Sequence, residues 1–295
     1  MTNQVIGVDI GGTKIYVGLV DKKSGEVLDY IHFLKGDMSD EQVLQNINKY
    51  IAYFHDKYQQ KFDVGIAVPE LVNNQGRICS HFTYDWIGKE NQFIAQKITF
   101  ESDVRAAALA ELTFGVAQGH SSSIYISLGT GVSYSFIQNG TIWRGHKGHA
   151  IHFATSPLFF PQQNNLFAHI PQSLIYEDFI AGKGFNQETK QLLGQDIDSR
   201  QWLQKLKNKD EASLHIAQNH AKYFGGLLAQ LINILDPEQI VIGGGFGMAL
   251  KSSPYMDLLK NEVVGHIIAD DSKDILFSWA HHNNFSALVG AALST

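Results

Sequence analysis

Along the first hundred residues the apolar positions fall in short runs separated by glycine and polar turns. Residues 4–10, QVIGVDI, and 14–21, KIYVGLVD, have the length and β-branched content of buried strands, and the GGT between them predicts a hairpin. A third strand is predicted over 26–33, EVLDYIHF. The period then changes: Val43, Leu44, Ile47, Tyr50, Ile51 and Phe54 recur at helical spacing and predict an amphipathic helix over 40–59. DVGIAVP at 63–69 reads as another buried strand. Residues 98–111, ITFESDVRAAALAE, pass from a strand into an alanine-rich helix, with one carboxylate, Asp103, at the junction. This order describes an α/β layer rather than a helical bundle.

Residues 122–138 repeat the opening in outline: IYISLGTGVSYSFIQNG again runs strand, glycine turn, strand, as IGVDIGGTKIYVGLVD does. An internal repeat of this kind predicts two similar domains. Long helices are predicted over 210–236 and 245–262, with the strand EQIVIGGG between them, and NFSALVGAAL at 284–293 closes the chain as a small-residue helix. No linker is rich in Pro or Ser, so the boundary is expected at a tight hinge near 115–121, GVAQGHS. The predicted division is 1–116, joined by the terminal helix 284–295, and 117–283.

Composition narrows the function. The 295 residues suit two domains of ordinary size, and 44% hydrophobic with 18% charged residues is ordinary for a globular protein. A net charge of −6 argues against a backbone-driven nucleic-acid binder. The single cysteine, Cys79, cannot form an internal disulfide. Residues 1–12 show no basic region followed by an apolar one, and no run reaches the roughly 18 apolar residues of a membrane span. No signal peptide, no membrane span and a cytoplasmic location are the expectations.

The glycine turns carry the candidate chemistry. Gly11-Gly12-Thr13-Lys14 is not a P-loop, because the order is Thr-Lys and a strand follows where a helix is needed. It does offer backbone N–H groups and a hydroxyl at a turn, an anion-binding concavity. Asp9, just before it, suits a hydrated Mg²⁺. Gly129-Thr130-Gly131 is a second such turn. Gly243-Gly244-Gly245 ends a strand and starts a helix, so a flat base or ribose can lie against bare backbone. The three together predict a nucleoside triphosphate with magnesium in a cleft between domains. For Asp103 the residues alone leave two readings, a helix N-cap and a proton acceptor.

DIGGTKI at 9–15, GIAVPELVNNQG at 65–76, SDVRAAALAE at 102–111, SLGTGVSYSFIQNGTIWRGHKGHA at 127–150, YEDFIAGKG at 176–184, PEQIVIGGG at 237–245 and SALVGAA at 286–292 together carry a resemblance. The chain resembles the ROK family of repressors and sugar kinases, within the actin–hexokinase–Hsp70 superfamily. The resemblance implies an α/β fold of two ribonuclease H-like (actin/hexokinase-like) domains with an interdomain cleft, ATP and Mg²⁺ as cofactors, a sugar substrate and a homodimer. It implies that Asp9, Gly11, Gly12, Thr13 and Lys14 form a first phosphate motif, Gly129, Thr130 and Gly131 a second, and Gly243, Gly244 and Gly245 an adenosine motif. Asp103 falls on the family's catalytic aspartate, and Glu177 on a sugar-binding glutamate.

Departures from the family pattern cluster at the implied sugar site. Ser102 stands for a sugar-binding Asn, His152 for a sugar-binding Glu, Thr155 for a His that holds sugar and zinc, and Glu70 for a Gly close to the sugar. The family's cysteine-rich zinc loop is missing, since residues 156–175 contain no cysteine. His146, His149 and His152 recur every third residue, but without thiolates no zinc site is expected. The leading expectation is an ATP-dependent sugar kinase; the alternative is a non-catalytic sugar or nucleotide sensor on a decayed kinase scaffold. A repressor is least expected, because family repressors carry an N-terminal helix-turn-helix and here a strand begins by residue 4.

Overall fold

The hairpin read from the opening run forms in the register expected of a tight turn. β1 (Gln4–Ile10) and β2 (Lys14–Asp21) pair antiparallel from Gln4↔Asp21 to Ile10↔Ile15. β3 (Val27–Leu34) adds antiparallel to β2, while β4 (Val64–Val68) and β5 (Ile98–Ser102) add parallel on the other side of β1. The sheet order is β3-β2-β1-β4-β5. The computed structural model describes residues 3–156, 175–182, 189–190, 194, 197, 199–251 and 253–295.

Parallel pairing needs a crossover, and α1 (Asp40–Lys57) lies between β3 and β4 in the chain. A capping box starts α1: the Ser39 hydroxyl accepts from the Gln42 amide, and the Gln42 side chain accepts from the Ser39 amide. Its Val43, Ile47, Ile51 and Phe54 join Ile6, Val8, Ile10, Val17 and Ile66 in one buried cluster. On the other face, Val5 and Val20 pack with residues of α2 (Asp103–Phe114) and α8 (Ser286–Leu293), among them Ala110, Leu288 and Val289. Alternate strand residues thus feed opposite faces of the sheet.

The alanines of α2 permit a very close helix contact. A Cβ at Gly290 of α8 would lie 1.6 Å from the Ala106 carbonyl oxygen, backbone against backbone. Gly290→Ala is therefore expected to destabilise by at least the 1–3 kcal/mol typical of overpacking. An unchanged thermal midpoint would contradict that contact.

The second sheet has the order β10-β9-β6-β7-β8, formed by β6 (Ser122–Leu128), β7 (Val132–Gln138), β8 (Thr141–Trp143), β9 (Gln239–Gly243) and β10 (Leu276–Trp279). Read from its hairpin edge it repeats the strand order of the first sheet, which is the internal repeat seen in the sequence. Among the described residues its helices are α3 (Glu177–Ile180), α4 (Ser199–Lys207), α5 (Glu211–Leu235), α6 (Gly245–Leu250) and α7 (Tyr255–His266). The single helix expected over 245–262 is two helices. Pro254 stands at the N-cap of α7, and proline disfavours helix in the residue before it.

By internal contacts the chain divides into two compact units. Unit one is Met1–Tyr125, Tyr134–Ile151 and Ser278–Thr295; unit two is Ile126–Ser133 and His152–Phe277. The 115–121 stretch expected as a hinge falls inside unit one, and so does the terminal helix α8. No helix among the described residues is long and apolar enough to cross a membrane.

Candidate active site

In unit one the glycine turn follows β1 directly. The Gly11 amide donates to the Lys14 carbonyl at 3.1 Å and closes the hairpin. The Gly11 carbonyl accepts from the Tyr84 hydroxyl at 2.9 Å, and the Thr13 carbonyl from the Lys35 amide at 2.9 Å. Both carbonyls are thus tied back, while the Gly12 and Thr13 amides make no hydrogen bond among the described residues. Free N–H groups with occupied carbonyls are the polarity an anion needs. The Lys14 ammonium donates to the Tyr16 hydroxyl at 3.1 Å.

Asp9, the last polar residue of β1, is partly exposed, and its carboxylate has no hydrogen-bond or ion-pair partner among the described residues. Burial, then the nearby Asp103 carboxylate, raises its pKa to about 7. A partnerless carboxylate beside free amides fits a hard dication. Such an ion takes one or two carboxylates and keeps its other positions for phosphate and water. Among the described residues no three or more His, Cys, Asp or Glu are grouped to hold a metal. The 157–174 stretch, where the family's zinc loop is implied, lies outside the described residues.

Asp103 is the first residue of α2, not its N-cap; Ser102 holds that place and makes no side-chain cap. The Asp103 carboxylate still accepts from the Val104 amide at 2.7 Å, so it satisfies one free helix donor. Burial raises its pKa to about 6, against the lowering effect of that bond, and the Glu70 carboxylate adds to the rise. Among the described residues no cation pairs with it. The Arg105 guanidinium, whose charge lowers the Asp103 pKa, is bonded elsewhere, to Glu101 and to the Gly148 and Val72 carbonyls. The Ser102 hydroxyl is buried without a partner.

Glu70 departs from its expected role as a sugar ligand. It is 1% exposed, and its carboxylate accepts from the Ser80 hydroxyl and from the Phe82, Thr83 and Tyr84 amides. A carboxylate has about four acceptor directions. All are used inside the protein, so Glu70 holds the loop and has none left for a sugar hydroxyl.

Unit two gathers the remaining glycine motifs. The Gly129 amide donates to the Gly131 carbonyl at 3.0 Å, and the Gly129 carbonyl accepts from Gly182 at 2.9 Å. The Thr130 and Gly131 amides have no partner among the described residues, the same polarity as in the first turn. Gly244, at φ +79°, lies against the Leu128 backbone, where a Cβ would come within 2.5 Å of the carbonyl oxygen. That close approach sets Gly243-Gly244-Gly245 directly beside the Gly129 turn. Glu177 accepts from the Val132 amide at 2.9 Å through one oxygen, and the other oxygen has no partner among the described residues. His152 and Thr155 are exposed.

Glu177 owes its place to a buried histidine that sequence reasoning passed over. The Tyr255 hydroxyl donates to His220 Nδ1 at 2.6 Å, and Nε2–H donates to the Ile180 carbonyl at 2.9 Å, fixing α3 against α5 and α7. Burial lowers the His220 pKa to about 4, so the ring is neutral. The sequence held no signal for it. Arg105 did have one: a charged residue inside a buried alanine run, four positions after Glu101.

The chain is similar to known proteins over most of its length. The chain is 24% identical over 258 residues to an N-acetylgalactosamine kinase of Shewanella sp. (strain ANA-3), covering 81% of this chain and 80% of the relative. It is 24% identical over 275 residues to the xylose repressor of Bacillus spizizenii, covering 89% of this chain and 69% of the repressor. The crystal structure of a ROK family glucokinase from Streptomyces griseus, in complex with glucose and AMPPNP, superposes with a TM-score of 0.81 at 25% identity over 98% of both chains. The ROK family profile matches residues 5–294, and the chain belongs to the ROK family.

Proposed function

We propose that the chain is an ATP-dependent sugar kinase with Asp103 as its general base. One observation carries this reading: a partly exposed carboxylate at the start of α2, with no cation paired to it among the described residues and a pKa raised to about 6. A base for a sugar hydroxyl should titrate near the working pH, and burial tunes Asp103 there. The sugar O–H gives its proton to Asp103 as its oxygen attacks the γ-phosphorus. The bond from that phosphorus to the β–γ bridging oxygen breaks, and ADP leaves. The rest is positioning and charge stabilisation. The free amides of Gly12 and Thr13, and of Thr130 and Gly131, donate to phosphate oxygens, and the Gly243–Gly245 backbone takes the adenosine. Asp9 would hold Mg²⁺, which when bound neutralises charge on the phosphates.

The sugar is where this chain differs from its family. Ser102 and His152 stand for an Asn and a Glu, two hydrogen-bond partners that the resemblance places on the sugar. Each missing partner leaves a buried polar group unpaired, at about 1–3 kcal/mol. Glucose is therefore expected to be a poor substrate, and a different hexose, an N-acetylhexosamine or a glycoside the preferred one. A coupled ADP-release screen over a sugar panel with Mg-ATP tests both levels. Efficient glucose turnover would overturn the specificity and spare the kinase. Nucleotide or sugar binding without turnover on any sugar favours the second reading, a sensor, to which the substituted His152 and Thr155 point.

A further inference from the structure

Glu70 and the segment after it do something that no glycine in that place could do. Three successive backbone amides, from Phe82, Thr83 and Tyr84, converge on its buried carboxylate at 2.8, 2.6 and 2.8 Å, and the Ser80 hydroxyl completes the set. Backbone wrapped on an anion in this way has one conformation rather than many. That conformation delivers Tyr84. Its ring is buried and stacks on Trp86 with centroids 4.2 Å apart and planes 10° from parallel. The Lys35 ammonium lies 4.2 Å from the centroid of the same ring. The hydroxyl reaches the Gly11 carbonyl at 2.9 Å.

The column does not stop at Trp86. Trp86 meets Phe93 edge-on at 5.5 Å, and Phe93 meets Phe100 at 5.3 Å. Phe100 is on β5, the strand that leads into Asp103. One loop therefore braces both the glycine turn and the strand of the general base, and both lie within unit one.

We propose that Tyr84 is a positioning residue for the nucleotide, a clamp anchored by Glu70 that keeps the Gly11 carbonyl turned away and the Gly12 amide of the same peptide turned toward phosphate. The inference rests on the reading of that turn as a phosphate site and adds to it the group that sets its polarity. Tyr84 itself touches no phosphate. Without its hydroxyl the Gly11–Gly12 peptide is free to rotate, and its carbonyl can face the anion. Amides already aimed at the charge need no reorganisation when the ligand arrives. Burial, with the Asp40 and Glu70 carboxylates nearby, raises the Tyr84 pKa, so the hydroxyl keeps its proton.

The test is calorimetric binding of Mg-AMPPNP to the full chain, alongside steady-state kinetics. Tyr84→Phe keeps the ring and its stack and removes only the donor. Its nucleotide Kd, and KM for ATP, should rise about 3- to 10-fold, the factor that one hydrogen bond carries. KM for the sugar should hold, and kcat should move less than KM for ATP. Glu70→Gln keeps the shape but turns an amide N–H₂ toward backbone donors. It should weaken nucleotide binding similarly and also move the acid limb of the rate profile to lower pH, because a negative neighbour of Asp103 is gone. If the native chain binds no nucleotide, the phosphate-site reading fails and the clamp fails with it. If the native chain binds and both variants bind as tightly, the clamp alone is overturned. Equal losses for nucleotide and sugar, in step with a lowered thermal midpoint, would also overturn it, since a merely structural residue behaves that way.

Discussion

Asp103→Asn is expected to lower turnover by about 10²–10⁴-fold, the range for losing a general base. The fold should survive. The amide oxygen of Asn can still accept from the Val104 amide, so stability should fall by no more than about 1 kcal/mol. The pH profile of the native chain is the companion measurement. The folded pKa of Asp103 is raised, from 3.8 to about 6, so the stability linked to its protonation is full below about 3.8 and is lost as the pH rises through 6. Activity runs the other way, because the base must be ionised: kcat/KM should climb with pH through about 6. Asp9, at about 7, interacts with Asp103, so the climb belongs to the pair. A dication at Asp9 would favour the ionised forms, and saturating Mg-ATP should move the limb to lower pH. A variant with near-native turnover would return Asp103 to a plain helix-terminus residue.

The second large effect concerns Arg105. Its guanidinium is 1% exposed and held by three groups: Glu101, at 2.7 Å from Nε and 2.6 Å from Nη2, the Val72 carbonyl at 2.6 Å, and the Gly148 carbonyl. Arg144 pairs with the same glutamate. Burial lowers the Arg105 pKa, against the attraction of Glu101, yet a guanidinium stays charged in proteins. Truncating one member of a buried charge network typically costs about 3–5 kcal/mol. Arg105→Met would leave two buried carbonyls without donors and a glutamate with one cation where it had two. A fall in the thermal midpoint of roughly 6–20 °C is expected at about 2–4 °C per kcal/mol. Unchanged melting would mean that water replaces the guanidinium at no cost, and the network would then be incidental. Activity should fall with it, because Arg105 ties the first turn of α2, where Asp103 stands, to the loops at 72 and 148.

Much of this protein was written locally. Period-two and period-3.6 patterns placed β1, β2, α1, β4 and the β5–α2 junction, because side-chain direction along a strand or helix depends only on the element itself. The repeat of strand, glycine turn and strand announced two sheets of one topology for the same reason. The break at Pro254 between α6 and α7 is also local, needing nothing beyond the ring and its missing N–H, yet the helical reading of 245–262 passed over it. What tertiary structure alone decided is who spends each charge. Glu70 had the composition of a ligand and became an anchor, because its four donors come from residues 10–14 positions downstream and three of them are backbone amides, which leave no mark in a sequence. Asp103 and Asp9 are ordinary aspartates as letters. Their raised pKa values come from burial first, then from a neighbouring carboxylate, Asp103 for Asp9 and Glu70 for Asp103. Among the described residues the Gly12 and Thr13 amides have no partner, and the Gly11 and Thr13 carbonyls are bonded by Tyr84 and Lys35, far along the chain. Sequence determines which groups are present; only the packed chain determines which are left unsatisfied, and those are the ones that bind and react.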